Sequence, residues 1–276
     1  MQALFAQEPW LFLICAGVFG ALIGSFLNVV IYRLPVMMEH AWQDELADAQ
    51  GNEPAPRERF NLVVPRSRCG QCGHAVTALE NVPIISWLAL RGRCSACGTR
   101  ISARYPLVEA ATAALFVTCA WHFGFTFQAL AAMTFCAVLV TLTGIDLDTQ
   151  LLPDQLTLPL LWLGLLVNLF AMFAHLPDAV IGAAAGYLVL WSVYWLFKLV
   201  TGREGMGYGD FKLLGALGAW FGWQALPMLL LVSSVVGAVI GIAILLVQKK
   251  GRHTAIAFGP YLAIAGIITL FFGPLL

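Results

Sequence analysis

Asp146 and Asp210 each stand at the end of an oily stretch, where a carboxylate is costly. Asp146 follows the uncharged run 135–145. Asp210 follows Gly205-Met206-Gly207-Tyr208-Gly209 and precedes Phe211-Lys212-Leu213-Leu214. An ionisable side chain at a membrane boundary marks a functional site by default. Two close carboxylates share one proton, because like charges about 3 Å apart do not both ionise. One can then take a proton from water while the other gives one to a leaving amine, which is the chemistry of metal-free peptide hydrolysis. Segment 144–154 offers two further carboxylates, Asp148 and Asp154. Asp154 follows Pro153 where an apolar stretch opens, and helix capping accounts for it. Asp148, two residues past Asp146, points to a different face on a continuing helix. Asp146 lies nearest the apolar segment, but chemistry alone leaves the three open. Around Asp210, Gly205, Gly207 and Gly209 let backbone approach a substrate strand closely. Lys212 either holds a carboxylate ionised or snorkels as an anchor at the membrane surface, the anchor being the simpler reading. No G-x-S-x-G, H-E-x-x-H or Ser/His/Asp set offers a competing nucleophile.

A second cluster has different chemistry. Cys69-Gly70-Gln71-Cys72 and Cys94-Ser95-Ala96-Cys97 form a C-x2-C pair separated by 21 residues. Two thiolates two residues apart bend round one ion, and two such knuckles complete a tetrahedral four-thiolate site. Cys69, Cys72, Cys94 and Cys97 are therefore expected to hold a structural Zn²⁺ with no open coordination position. Gly70, Gly73 and Gly98 suit the tight turns of the knuckles. His74 reads as a neighbour and not a ligand. Cys15, Cys119 and Cys136 read as small apolar packing residues.

The elements that position these groups are membrane spans. Hydrophobic residues make up 60% of the 276 and charged residues 11%, against about 25% charged in soluble domains. The fold class expected is all-α and polytopic. Apolar runs of spanning length lie near 10–32, 105–123, 128–146, 156–174, 178–199, 212–224, 227–247 and 255–275, which makes about eight transmembrane helices. The sixth is short and rich in glycine. No positive n-region precedes the first, so it reads as a span and not a cleavable signal. Three domains follow: residues 1–32 as a first transmembrane helix, 33–104 as a cytoplasmic four-cysteine zinc domain, and 105–276 as a seven-helix membrane domain. Within 39–60 a short helix and a Pro-containing loop are expected.

With eight spans, all 15 Lys and Arg residues fall on one side: nine from Arg33 to Arg104, then Lys198, Arg203 and Lys212, then Lys249, Lys250 and Arg252. Positive loops stay in the cytoplasm, so both termini are expected outside and both carboxylates at the cytoplasmic boundary. A net charge of zero gives no field that would favour nucleic acid.

Taken in order, these motifs resemble the prepilin peptidases, also called type IV leader peptidases. The likeness runs from Gly24-Ser25-Phe26-Leu27-Asn28 through Arg33-Leu34-Pro35 and the four-cysteine loop. It continues through Ser86-Trp87, Leu90-Arg91-Gly92-Arg93-Cys94, Ile145-Asp146 to Pro153-Asp154, and Gly207-Tyr208-Gly209-Asp210-Phe211-Lys212. The resemblance implies a G-x-G-D aspartic protease of the bacterial inner membrane, with an outer, periplasmic N-terminus. Its catalytic pair would be Asp146 and Asp210, with Gly207, Gly209 and Lys212 as the substrate loop. It would cleave the basic leader of type IV prepilins and type II secretion pseudopilins after a glycine. It would then methylate the new N-terminal amine with S-adenosylmethionine, an activity that points to the Leu90–Cys94 segment and to Gly92. The lipid bilayer is the other expected partner, and no nucleic acid is. Two other readings remain at this point: a presenilin-like protease cutting helices within the bilayer, and a non-enzymatic transporter or scaffold.

Overall fold

The computed structural model describes residues 8–53, 56–203, 205–248 and 257–273. Lys249, Lys250 and Arg252, the third group of the charge argument, lie outside the described residues, as do residues 1–7. The chain divides into two compact units, Met1–Thr141 and Leu142–Leu276. The described residues are helical and contain no strand beyond two isolated antiparallel bridges.

The helices are α1 (Pro9–Ala49), α2 (Ile85–Ala89), α3 (Arg104–Phe123), α4 (Phe127–Thr149), α5 (Asp154–Asn168), α6 (Leu176–Thr201), α7 (Tyr208–Phe221), α8 (Leu226–Gln248) and α9 (Gly259–Phe272). Apart from the five-residue α2, they correspond in order to the eight expected spans. Five segments, in α1, α3, α4, α6 and α8, are long and apolar enough to cross a membrane. Their outward faces carry large apolar side chains such as Ile14, Val18, Leu107, Ile181 and Val193. Water would not tolerate so much contiguous apolar surface, and lipid does. The chain is a multi-pass membrane protein.

Two boundaries differ from the sequence expectation. The first helix does not stop near residue 32, and no separate short helix forms among the described residues of 39–60. One helix runs on to Ala49, because Glu39, Gln43, Glu45, Leu46 and Ala47 are strong helix formers. Leaving the membrane changes the composition of a helix without ending it. The other difference concerns α5, α7 and α9, of 15, 14 and 14 residues. At 1.5 Å per residue they reach only about 21–22 Å, short of a hydrocarbon core about 30 Å thick.

In the first unit α1 packs along α3 through a glycine stripe. A Cβ on Gly20 would lie 2.8 Å from the Ala113 Cα, and one on Gly24 would lie 2.7 Å from the Glu109 Cα. Small residues at this spacing let helix backbones touch in lipid. Cys119 on α3 meets Cys136 on α4 at 3.9 Å between sulfurs, both fully buried.

In the second unit α7 is the core. Every residue from Asp210 to Trp220 except Lys212 is buried. Its neighbours are α5, α6 and α9. A Cβ on Gly218 would lie 2.1 Å from the Gly182 carbonyl oxygen of α6, and one on Gly186 would lie 2.6 Å from the Leu214 oxygen. The far end of α7 is pinned by Asn168, whose amide donates to the Ala219 and Trp220 carbonyls at 2.9 Å. Trp220 Nε1 donates to the Leu160 carbonyl at 2.9 Å.

Gly218→Ala tests this seat directly. Backbone cannot retreat from a methyl group as a side-chain tip would, so we expect a loss of at least ~2 kcal/mol. Thermal unfolding of the detergent-purified protein reads it. The same change at Gly207, where a Cβ meets nothing within 4 Å, should have little effect on unfolding.

Candidate active site and four-cysteine centre

Asp210 lies in the first turn of α7, three residues past the N-cap Gly207. The positive end of the helix dipole favours a carboxylate there. Asp146 lies near the C-terminal end of α4. The two are 8% and 4% exposed and stand close enough for their charges to interact. Asp148 and Asp154 are exposed. Burial therefore separates Asp146 from its two sequence neighbours, which composition alone left open. Asp146 Oδ2 accepts the backbone N–H of Gly259, the first residue of α9, at 3.0 Å. A Cβ at Gly259 would stand 2.6 Å from that oxygen, so only glycine allows the approach. A carboxylate charge with a donor against it and a second carboxylate nearby is an arrangement able to hold and move one proton.

The first unit brings Cys69, Cys72, Cys94 and Cys97 together, with all four sulfurs within 4.8 Å of one another. The Cys69–Cys97 and Cys72–Cys94 sulfur separations are 3.8 and 4.0 Å. Tetrahedral metal–sulfur bonds of about 2.3 Å put ligand sulfurs about 3.8 Å apart, so the four residues fit a metal ion. The two knuckles are built alike. Bridges pair Arg68 with Ala75 and Arg93 with Arg100. Cys69 N donates to His74 O and Gly73 N to Cys69 O; Cys94 N donates to Thr99 O and Gly98 N to Cys94 O. Gly73 and Gly98 have φ of +72° and +73°, a turn that glycine makes without steric cost.

Electrostatics divide the gathered thiols. The backbone amides of Cys72 and Gln71 hold the Cys69 thiol down at about 6. The Thr99 amide also acts to lower Cys97, but the crowding of Cys72, burial and the Cys94 and Cys69 sulfurs outweigh it and push it up to about 11. Four gathered sulfurs cannot all be anionic without a cation among them. His74 is not part of the group. Its Nε2 lies 3.2 Å from Glu80 Oε2. The Glu80 carboxyl is held down at about 2, first by Ser95, then by the Thr77 amide and hydroxyl and by His74. Glu80 thus ties the second knuckle to the end of the first.

Comparison with known proteins follows the same division. Residues 18–123 match the bacterial peptidase A24 N-terminal domain, and residues 133–242 match the type IV leader peptidase family. The chain belongs to the type IV leader peptidase family. It is 58% identical to a prepilin leader peptidase/N-methyltransferase of Stutzerimonas stutzeri, over 97% of this chain and 93% of that protein. It is 57% identical to a protein of the same description from Pseudomonas putida, over 97% and 93% of the two chains. One from Aeromonas hydrophila is 59% identical over 96% and 92%. No solved structure matches.

The remaining residues singled out in this family member fall as follows. Gly207 is the N-cap of α7 and open to its surroundings, whereas Gly209 packs on Leu152, where a Cβ would lie 2.7 Å from the leucine Cβ. Gly209 thus serves its own chain. Lys212 is not simply an anchor: its Nζ bonds both oxygens of Asp154 at 2.6 and 2.7 Å. Asp154 in turn makes no capping hydrogen bond. Pro153 holds the N-cap position and Asp154 enters the first turn of α5, so its carboxylate is free to reach α7. Gly92, with φ +66°, sits behind Trp87, 2.8 Å from indole Cζ2 once given a Cβ. Gly259 was missed by sequence reasoning. Its signal was Phe258-Gly259-Pro260, a Gly-Pro step opening a span, which marks a helix start without saying what the freed N–H meets.

Two measurements test these contacts. Reversing Asp154 or Lys212 alone should destabilise the purified protein, and Asp154→Lys with Lys212→Asp should recover about 0.5–1 kcal/mol of coupling in thermal unfolding. Elemental analysis should find about one divalent ion per chain, lost in Cys69→Ser/Cys94→Ser.

Proposed function

We propose that this chain is a membrane aspartic endopeptidase that cleaves the basic leader of prepilins and pseudopilins after a glycine, and then methylates the new N-terminal amine with S-adenosylmethionine as donor. Family membership and the printed descriptions of the relatives support the reading. The observation that carries it is the pair Asp146 and Asp210, from different helices, both more than nine-tenths buried and in electrostatic contact.

A prepilin would lay its apolar N-terminal helix in the bilayer and leave its basic leader in the cytoplasm. The scissile peptide then reaches the level of the two aspartates. Asp146 accepts the Gly259 N–H, which fixes the position of its carboxylate. In this reading Asp146 is the base and Asp210 carries the shared proton. Asp146 takes a proton from water as the water oxygen attacks the glycine carbonyl carbon. Asp210 gives its proton to the departing amine as the C–N bond breaks. Gly207, Gly209 and Lys212 form the loop along which the substrate passes, with Gly209 and Lys212 shaping it through Leu152 and Asp154.

The ion at Cys69, Cys72, Cys94 and Cys97 is Zn²⁺ in a structural role, because four thiolates leave no position for water or substrate. The soluble region within 33–104 is a cytoplasmic module built round it, between a first membrane helix and the membrane domain of 105–276. The basic loops of the sequence favour a cytoplasmic side for that module and for both aspartates at the inner membrane, with the N-terminus periplasmic.

Asp146→Asn and Asp210→Asn should each lower the rate of leader removal by at least ~10²-fold while the protein still inserts and retains its metal. The assay is incubation with a prepilin and S-adenosylmethionine, followed by mass spectrometry of the product N-terminus. Wild-type processing by either purified variant would overturn the assignment.

A further inference from the structure

The first unit holds a cavity of about 720 Å³ that the peptidase chemistry does not use. It lies between α1, α3 and the four-cysteine module. Its volume falls within the range of about 300–1,000 Å³ typical of small-molecule sites.

Three polar side chains in its wall are less than a tenth exposed: Asn28 and Arg33 of α1 and Glu109 of α3. The Arg33 guanidinium donates to the Asn61 and Pro65 carbonyls. Asn28 Nδ2 donates to the Gly24 and Tyr105 carbonyls at 3.2 and 3.1 Å. Both amide hydrogens are thereby committed, and Oδ1 is left to the cavity as an acceptor. Glu109 Oε2 accepts the Ile84 N–H at 2.7 Å. No ion pair joins Glu109 among the described residues, and the residue lines the cavity. A buried carboxylate with no ion pair favours a ligand that brings positive charge to it.

The rest of the wall fits one kind of ligand. Trp87 and Tyr105 offer aromatic faces, which attract cations and stack on planar rings. Arg66 and Arg100 are exposed in the wall and have no acidic partner among the described residues. Buried acid, aromatic faces and exposed base together suit a zwitterion that carries a flat heterocycle. S-adenosylmethionine has a sulfonium and an ammonium, a carboxylate and an adenine.

We propose that this cavity binds S-adenosylmethionine, with Glu109 facing its positive charges and Asn28 Oδ1 accepting one of its hydrogens. The proposal rests on the methyltransferase reading above. It also gives Gly92 a place. Gly92 does not line the cavity but backs Trp87, which does. A side chain at 92 would drive the indole into the ligand space.

Binding to the full-length protein in nanodiscs is the test, with S-adenosylmethionine and S-adenosylhomocysteine measured separately by calorimetry. Glu109→Gln keeps the size and an acceptor for Ile84 but removes the charge. It should weaken S-adenosylmethionine binding at least ~10-fold, with a smaller loss for S-adenosylhomocysteine, whose sulfur is neutral. Ser25→Phe, which fills the cavity from α1, should weaken both. Metal content and leader cleavage should remain at wild-type levels in both variants, which reports intact folding. If Glu109→Gln does not keep its metal, Ser25→Phe carries the test. Unchanged affinity in both variants, with wild type binding and methylating, would overturn the cavity assignment and leave the methyltransferase reading standing. A wild type that cleaves but neither binds the donor nor methylates would overturn both.

Discussion

Backbone contact between α6 and α7 is the interaction on which the second unit depends. Gly182 and Gly218 meet so closely that neither position has room for a methyl group, and Gly186 is pressed on the Leu214 carbonyl in the same way. In lipid the hydrophobic effect does not drive helices together, and association comes from close packing and hydrogen bonds. The contact lets α7, too short to cross a bilayer alone, sit inside protein along nearly its whole length. Asn168 and Trp220 then fix its far end by hydrogen bonds to and from backbone carbonyls. Asp210 follows as a consequence. It sits in the first turn of a helix that has been placed rigidly, and so does the N–H-rich end that favours its charge.

The same logic governs the approach of α9. Gly259 brings a backbone N–H to Asp146 because nothing projects from its own Cα. Lys212 and Asp154 join the first turns of α7 and α5 at a more exposed level. The pair adds little energy at half-exposed positions. It does tie the start of α7 to the start of α5. Glycines give the closeness here, and the ion pair gives direction.

Much of this was legible in the sequence, because membrane spans and metal knuckles are written in short-range patterns. A run of apolar residues is sufficient to announce a helix in lipid. Paired C-x2-C spacing is sufficient to announce a four-thiolate cluster, and the four sulfurs do converge. Long-range pairing was not legible. Nearness to the apolar run favoured Asp146 over Asp148 without deciding between them, since burial depends on which helices cover them. Lys212 read as an anchor because its partner Asp154 lies 58 positions away, and Gly259 lies 113 positions from the carboxylate it meets. The extension of α1 to Ala49 escaped for another reason. The hydropathy that ended the span at residue 32 reports where lipid ends, and helix propensity continues past that point.

The molecule gathers like charges in two places and resolves the conflict differently in each. Four sulfurs within 4.8 Å of one another fit a metal ion, and four thiolates would leave such an ion no open position. Two buried carboxylates close enough for their charges to interact can be relieved by a single proton, and a proton is mobile. The Gly259 N–H contacts Asp146, so the surroundings of the two carboxylates differ. A fixed ion suits a part that holds its shape, and a shared proton suits a part equipped to react.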